Sequence, residues 1–286
     1  MKCIFIAAHE KVFQIKRMCR VLSVKRSGYY AWRKRTPSAQ SKANETLLAM
    51  IKAQYKKSRE TYGSPRMHVV LQREGIVCGR NRVARLMRLH KIVAHTKGNY
   101  HPGTTQPQPG VIPAPNLLDR DFSAVSPNQK WVSDFTYIET NEGWLYLAVV
   151  LDLFSRKVVG WSMSKTMDTA LVQTALRMAL AGRKPPAGLL HHSDQGSQYT
   201  STAYLNCLNE ALAQLSMSGA GNCYDNAVVE SFFATLKTEC VVGGFATRSE
   251  ARTTIFEYVE VWYNRQRLHS TLGYYSPVEF EQQFSI

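Results

Sequence analysis

The chain has 286 residues, 44% of them hydrophobic, and a formal net charge of +15. That supplies a real core and room for one to three domains. No run approaches the ~18–20 apolar residues of a membrane helix, and the short apolar stretch after Met1-Lys2 meets charges too soon for a signal peptide, so a cytoplasmic protein is expected. The cysteines at 3, 19, 78, 207, 223 and 240 form no CxxC pair, which argues against a zinc ribbon or a redox dithiol.

The charge is unevenly spread. Residues 1–100 hold 23 Lys/Arg against 4 Asp/Glu, a balance of +19, while residues 101–286 hold 13 against 17, a balance of −4. The first region is therefore suited to a polyanion. Residues 10–35 read as two short helices, with Val12, Ile15, Met18 and Leu22 at helical spacing and Ser23 as the break. Around Arg26, Tyr29, Tyr30, Trp32 and Arg33, aromatics alternate with cations, a pattern that stacks on bases and holds phosphates, or else supplies core and solvated charge.

Residues 44–58 read as a helix. Ser64-Pro65 starts another, running to about Arg73, with a turn at Glu74-Gly75. The next spans Arg80 to His90, with Arg82, Arg85 and Arg88 off its apolar stripe. Two helices around a Gly turn, with arginines on the second, suit a helix-turn-helix-like DNA-binding unit or a small basic bundle. Residues 95–129 hold six of the eleven prolines and read as a linker. The expected domains are thus 1–94, a basic helical region; 95–129, a linker; and 130–286, a catalytic core.

From Lys130 the pattern becomes α/β. Strands are expected at Trp131–Glu139, Trp144–Leu153 and Lys157–Met163, with a hairpin turn at Asn141-Glu142-Gly143. A helix over Thr169–Ala181, a strand over Gly188–His192, a helix over Thr202–Leu212, a strand over Gln214–Met217 and a helix over Asn226–Cys240 follow. One more helix covers 249–265, and Ser276-Pro277 starts a last short one.

Three carboxylates stand out: Asp134 within a strand, Asp194 at a strand exit, and Glu230 on a helix. Brought together, they make an acidic cluster suited to Mg²⁺, with Mn²⁺ as a substitute. Two such ions about 3.5–4 Å apart are the standard device for phosphoryl transfer on nucleic acid. Lys237 follows Glu230 by seven residues on one helix face, placed to grip a phosphate. Asp152 lies on the second strand within reach of the cluster and is read as structural, and Glu239 is set aside as a decoy. Asp225 is read as a helix cap, and His191 and His192 as strand-end residues rather than metal ligands.

Tyr62-Gly63-Ser64-Pro65-Arg66, Trp131-Val132-Ser133-Asp134-Phe135-Thr136-Tyr137-Ile138, His192-Ser193-Asp194-Gln195-Gly196-Ser197-Gln198-Tyr199, Asn222 to Phe233, and Tyr263-Asn264-Arg265-Gln266-Arg267-Leu268-His269-Ser270 occur in that order. Together they resemble the downstream-frame (OrfB) product of the IS-three family of bacterial insertion sequences, within the DDE transposase and retroviral integrase superfamily. The resemblance implies a ribonuclease H-like core with a mixed sheet. It implies Asp134, Asp194 and Glu230 as catalytic metal ligands for two Mg²⁺ ions, and DNA cleavage and strand transfer at element ends.

It also implies double-stranded DNA partners, namely terminal repeats and target, a homo-oligomer on DNA, and an upstream-frame partner joined by frameshifting. The family's C-terminal signature holds Arg265 and Arg267, read here as backbone-phosphate contacts or a structural cap on the helix end. A nuclease without strand transfer and a non-catalytic DNA-binding protein are the competing readings. The intact carboxylate set argues against the second.

Overall fold

The structure, a computed structural model, describes residues 1–95, 114–219 and 223–284. It divides into two compact units, Met1–Ala53 and Gln54–Ile286. None of the described helices is long and apolar enough to cross a membrane.

In the first unit, α1 (Lys2–Ala8), α2 (Ile15–Val21) and α3 (Arg26–Lys34) bury Ile6, Met18, Cys19 and Tyr29 together. The break between α2 and α3 falls at Ser23, which takes φ 54°. α1 is not among the expected elements, because seven residues carry too little periodicity to read as a helix. α4 (Ala39–Lys57) begins earlier than the predicted helix.

The second unit opens with α5 (Ser64–Arg73) and α6 (Arg80–Leu89), which pack on one another on either side of Gly75, at φ 78°. These two helices belong with the core rather than with residues 1–53. Leu268 N–H donates to Tyr62 Oη at 2.8 Å, and Arg73 reaches Glu279 at 3.3 Å and the Tyr274 carbonyl at 3.0 Å. The expected boundary at residue 94 therefore does not separate them.

Residues 96–113, the first part of the expected linker, lie outside the described residues. Its last part packs: Leu117 and Leu118 donate their N–H groups to Ser216 Oγ at 2.9 and 3.1 Å, and Leu118 is buried. Proline richness predicts an irregular backbone; it does not prevent that backbone from covering a sheet edge.

The sheet comprises β1 (Lys130–Ile138), β2 (Leu145–Asp152), β3 (Val158–Ser164), β4 (Leu190–Ser193) and β5 (Gln214–Met217), in the order β3-β2-β1-β4-β5. β1 to β3 form an antiparallel meander, and β4 and β5 extend it in parallel. This is the mixed sheet expected of a ribonuclease H-like core. Parallel pairing needs a crossover, which α7 (Thr169–Arg183) supplies before β4 and α8 (Thr202–Glu210) before β5.

Trp131, Ala148, Val150, Leu171, Leu176, Tyr204 and Leu208 form the core between the sheet and these helices. α7 lies so close to β3 that a Cβ on Gly160 would stand 2.2 Å from the Ala175 carbonyl oxygen. α9 (Ala227–Glu239) packs on β1.

The helix expected over 249–265 is two pieces: α10 (Arg248–Glu257) and a π-helical stretch, Tyr258–Tyr263. That stretch buries Tyr258, Val259, Trp262 and Tyr263 on one face. Asn264 then pairs with both backbone groups of Val158 on edge strand β3, at 3.0 and 2.9 Å. α11 (Pro277–Gln282) starts at Ser276 with a capping box to Glu279.

Candidate active site

Parallel pairing of β1 with β4 joins Lys130 to Leu190, Trp131 to His191 and Val132 to His192, a constant offset of 60. Asp134 and Asp194 each lie two residues beyond the last pair, past the same end of the ladder. Two acids from sequence-distant segments thus share one end of the sheet. Asp134 Oδ1 accepts from Phe135 N–H at 2.8 Å, and Asp194 Oδ1 accepts from Gly196 N–H at 3.0 Å. The tight turn after Asp194 leaves little room for a side chain at 196, where a Cβ would stand 3.0 Å from Asp194 Oδ1 and 3.1 Å from Gln198 Oε1.

α9 brings the third carboxylate. Val229, Phe232, Phe233 and Leu236 are its buried stripe, while Glu230 remains exposed. Burial, the charge of Asp194 and the charge of Glu230 push the Asp134 carboxyl well above the ordinary carboxylate range, against the opposing Phe135 N–H. Asp194 and Glu230 thus both lie within electrostatic reach of Asp134. Among the described residues, no three His, Cys, Asp or Glu side chains are drawn together to ligating distance. The donor set is nonetheless all oxygen, and its mutual repulsion is relieved by a divalent cation, so the residues fit Mg²⁺.

Lys237 is half-buried on α9, its Nζ 4.6 Å from the centre of the Tyr137 ring on β1. Tyr199, fully buried, has a phenol held well above its usual range by burial and by the neighbouring Asp134 charge. It belongs to the quoted Asp194 motif, yet sequence reasoning assigned it nothing. An aromatic in a motif reads equally well as packing.

The histidines are structural. His191 Nε2 lies 2.8 Å from Ser133 Oγ and 3.1 Å from Tyr204 Oη, and His192 Nδ1 lies 2.8 Å from Ser216 Oγ. Burial holds both imidazoles neutral, at about 3 for His191 and about 4 for His192. Asp152 is structural as expected, but it does not lie at the cluster. It pairs with Trp131, whereas Asp134 faces Val149, three rungs away, or roughly 10 Å at 3.4 Å per residue. It accepts from Asn128 and Phe154 N–H at 2.7 and 2.9 Å, with Arg183 3.4 Å away. Asp225 accepts from Asn116 Nδ2 at 3.0 Å, tying the 114–120 segment down, and Asn226 occupies the cap position of α9.

The predicted DNA-contacting arginines separate into groups. Arg26, Arg85 and Arg88 are exposed and Arg82 is half-buried. Arg33 holds Glu10 at 2.7 Å, and Tyr29 beside it is core rather than a stacking platform. Arg265 is exposed, its Nε donating to the Glu260 carbonyl at 3.1 Å. Arg267 is not a surface contact. It is buried against Glu239, Nη2 to Oε1 at 2.7 Å, because the chain after Tyr263 turns it inward beneath the Tyr263 ring.

An integrase core domain model matches residues 124–223, an HTH-like domain model residues 42–100, and a second integrase core domain model residues 230–284. An insertion element IS600 uncharacterized 31 kDa protein of Shigella sonnei is 44% identical over 268 residues, covering 93% of this chain and 98% of that protein. Transposase InsF for insertion sequence IS3A of Escherichia coli is 43% identical over 286 residues, covering 99% of each. Among solved structures, a chain of the simian T-cell lymphotropic virus intasome is 15% identical, covering 74% of this chain and 69% of that one, with a TM-score of 0.47.

Proposed function

The chain belongs to the IS3 family of insertion-sequence transposases, and from that premise we propose that Asp134, Asp194 and Glu230 form a two-metal site for DNA cleavage and strand transfer at element ends. The observation that supports this reading is the β1–β4 ladder, which ends at Val132 and His192, two residues before Asp134 and Asp194, together with the charges of Asp194 and Glu230 raising the Asp134 carboxyl. When bound, Mg²⁺ supplies activation of a water or a DNA 3′-hydroxyl and stabilisation of the leaving oxygen.

The three carboxylates would hold two such ions, and Mn²⁺ in their place. Water and a 3′-hydroxyl differ only as nucleophiles, so one site serves hydrolysis and joining. No Ser, Cys or Tyr nucleophile is needed. Lys237 steadies a phosphate beside the acids, as a compact cation two turns from Glu230. The basic residues 1–94, including Arg26, Arg82, Arg85 and Arg88, supply double-stranded DNA affinity for terminal repeats and target. Arg265 contributes to the same grip. The active form is a homo-oligomer on DNA, and the chain works as the downstream-frame part of a frameshift fusion.

The test uses duplexes carrying the ends of the encoding element, both intact and pre-cleaved to a 3′-hydroxyl. Mg²⁺-dependent nicking of the first and joining of the second are expected, both lost with EDTA. Calorimetric titration of Mn²⁺ reads the site independently, and Asp134→Asn should abolish the binding heat. Nicking without any joining would favour the simple nuclease. Supplying the upstream-frame protein in trans or in fusion should raise joining; no effect of either would remove the fusion from the reading.

A further inference from the structure

Tyr62-Gly63-Ser64-Pro65-Arg66 takes no part in the carboxylate site, yet it borders a cleft of about 500 Å³. The cleft lies between the start of α5, one flank of α9 and the segment after Tyr263, with Gly63, Arg66, Thr235, Thr238, Arg267 and Ser270 in its wall. Two guanidinium groups stand here and they differ in kind. Arg267 is neutralised by Glu239 at 2.7 Å. Arg66 has no hydrogen bond or ion pair among the described residues; its guanidinium stands 5.7 Å from the centre of the Tyr62 ring.

Arg66 is half-buried, and burial together with the like charge of Arg267 lowers its pKa, only partly offset by Glu239. A cation so placed is destabilising until an anion joins it. The other basic side chain at the wall, His95, is turned toward Glu60 at 3.9 Å. α5 begins at Gly63 with no side-chain cap and no acid in its first turn, so no carboxylate of that turn competes for Arg66.

We propose that this cleft is an anion site that takes a backbone phosphate of bound DNA, with Arg66 as its fork. The proposal rests on the reading of the chain as a DNA-processing enzyme and gives that reading a second point of attachment. Thr235 and Thr238 lie five and eight residues along α9 from Glu230, about 7.5 and 12 Å at 1.5 Å per residue. At about 100° per residue they stand about 140° and 80° round the helix from Glu230, so a duplex that reaches the carboxylates would meet the cleft on the flank of α9. An arginine fork suits a phosphodiester, since its N–H groups meet two oxygens at once.

The experiment compares the full chain with Arg66→Gln and Arg66→Lys, by duplex binding across a salt series and by thermal melting in inorganic phosphate against chloride at equal ionic strength. Arg66→Gln should weaken duplex binding about tenfold and reduce the salt slope by about one. Arg66→Lys should fall between. Phosphate should raise the melting temperature of the wild type but not of Arg66→Gln, whose melting temperature without phosphate should equal or exceed that of the wild type.

Unchanged duplex affinity and slope would overturn the proposal. So would an Arg66→Gln variant that melts below the wild type in chloride, which would make Arg66 a structural cation. Phosphate stabilisation through Arg66 with no effect on duplex binding would mark a free-anion site and overturn the DNA assignment. A wild type that binds DNA through Arg66 but neither nicks nor joins would sink the catalytic reading and leave the cleft standing.

Discussion

Arg267 and Glu239 form a doubly hydrogen-bonded ion pair almost sealed from water, Nη2 to Oε1 at 2.7 Å and Nε to Oε2 at 2.8 Å, with side-chain exposures of 7% and 5%. Tyr258 Oη and Trp262 Nε1 donate to the same carboxylate at 2.9 and 3.3 Å. Breaking a buried pair leaves an uncompensated charge, which costs about 3–5 kcal/mol. Glu239→Gln and Arg267→Met should each lower urea stability by that order. A surface DNA contact would instead lose affinity with stability intact, and such an outcome for Arg267→Met would reverse the structural assignment.

Asp134→Asn, Asp194→Asn and Glu230→Gln should each abolish nicking and joining while duplex binding survives, because the basic region is untouched. The measurement is paired: joining of pre-cleaved ends, and affinity for the same duplex. Near-normal joining by any one variant would remove that residue from the site.

Gly160→Ala should be strongly destabilising. Its Cβ would stand 2.2 Å from Ala175 O and 2.8 Å from Ala179 Cβ, so α7 would have to move off β3. Overpacking of this kind costs about 1–3 kcal/mol or more. A variant with wild-type urea stability would show that the contact between α7 and β3 is looser than described.

His269 makes stability depend on pH. Burial, then the charges of Arg267, Arg66 and Arg156, hold its imidazole neutral far below the usual 6.5. The unfolded chain takes up this proton below pH 6.5 and the folded chain does not. The contribution is therefore complete above pH 6.5 and is lost as pH falls, at about 1.4 kcal/mol per pH unit for one proton. His269→Gln should flatten the stability profile between pH 6.5 and 5 by that slope. Parallel profiles for the two proteins would show that His269 is charged in the fold.

Lys237→Ala should reduce joining of pre-cleaved ends more than it reduces duplex binding. The side chain sits against Tyr137, two helical turns from Glu230, and Ala keeps the helix. Unchanged joining with intact metal dependence would leave Lys237 as packing on Tyr137.

The amino-acid order alone carried the strand and helix sequence of the core, the break at Ser23 and the start of α5 at Ser64-Pro65, since each rests on neighbours within a few residues. Apolar alternation, Pro and Gly placement and helical spacing are local properties that survive without a fold. What tertiary structure decided was which charges are spent. Arg267 reads like Arg265 until a glutamate 28 residues away closes on it. Asp152 reads as lying within reach of Asp134 until the register places it three rungs away. Residues 114–129 read as linker until Ser216 on edge strand β5 accepts two of their N–H groups. Arg66 reads as one more basic residue until burial beside Arg267 leaves it in a cleft. In each case the deciding interaction joins segments far apart in the chain. Its strength depends on the exclusion of water, which no local pattern of residues encodes.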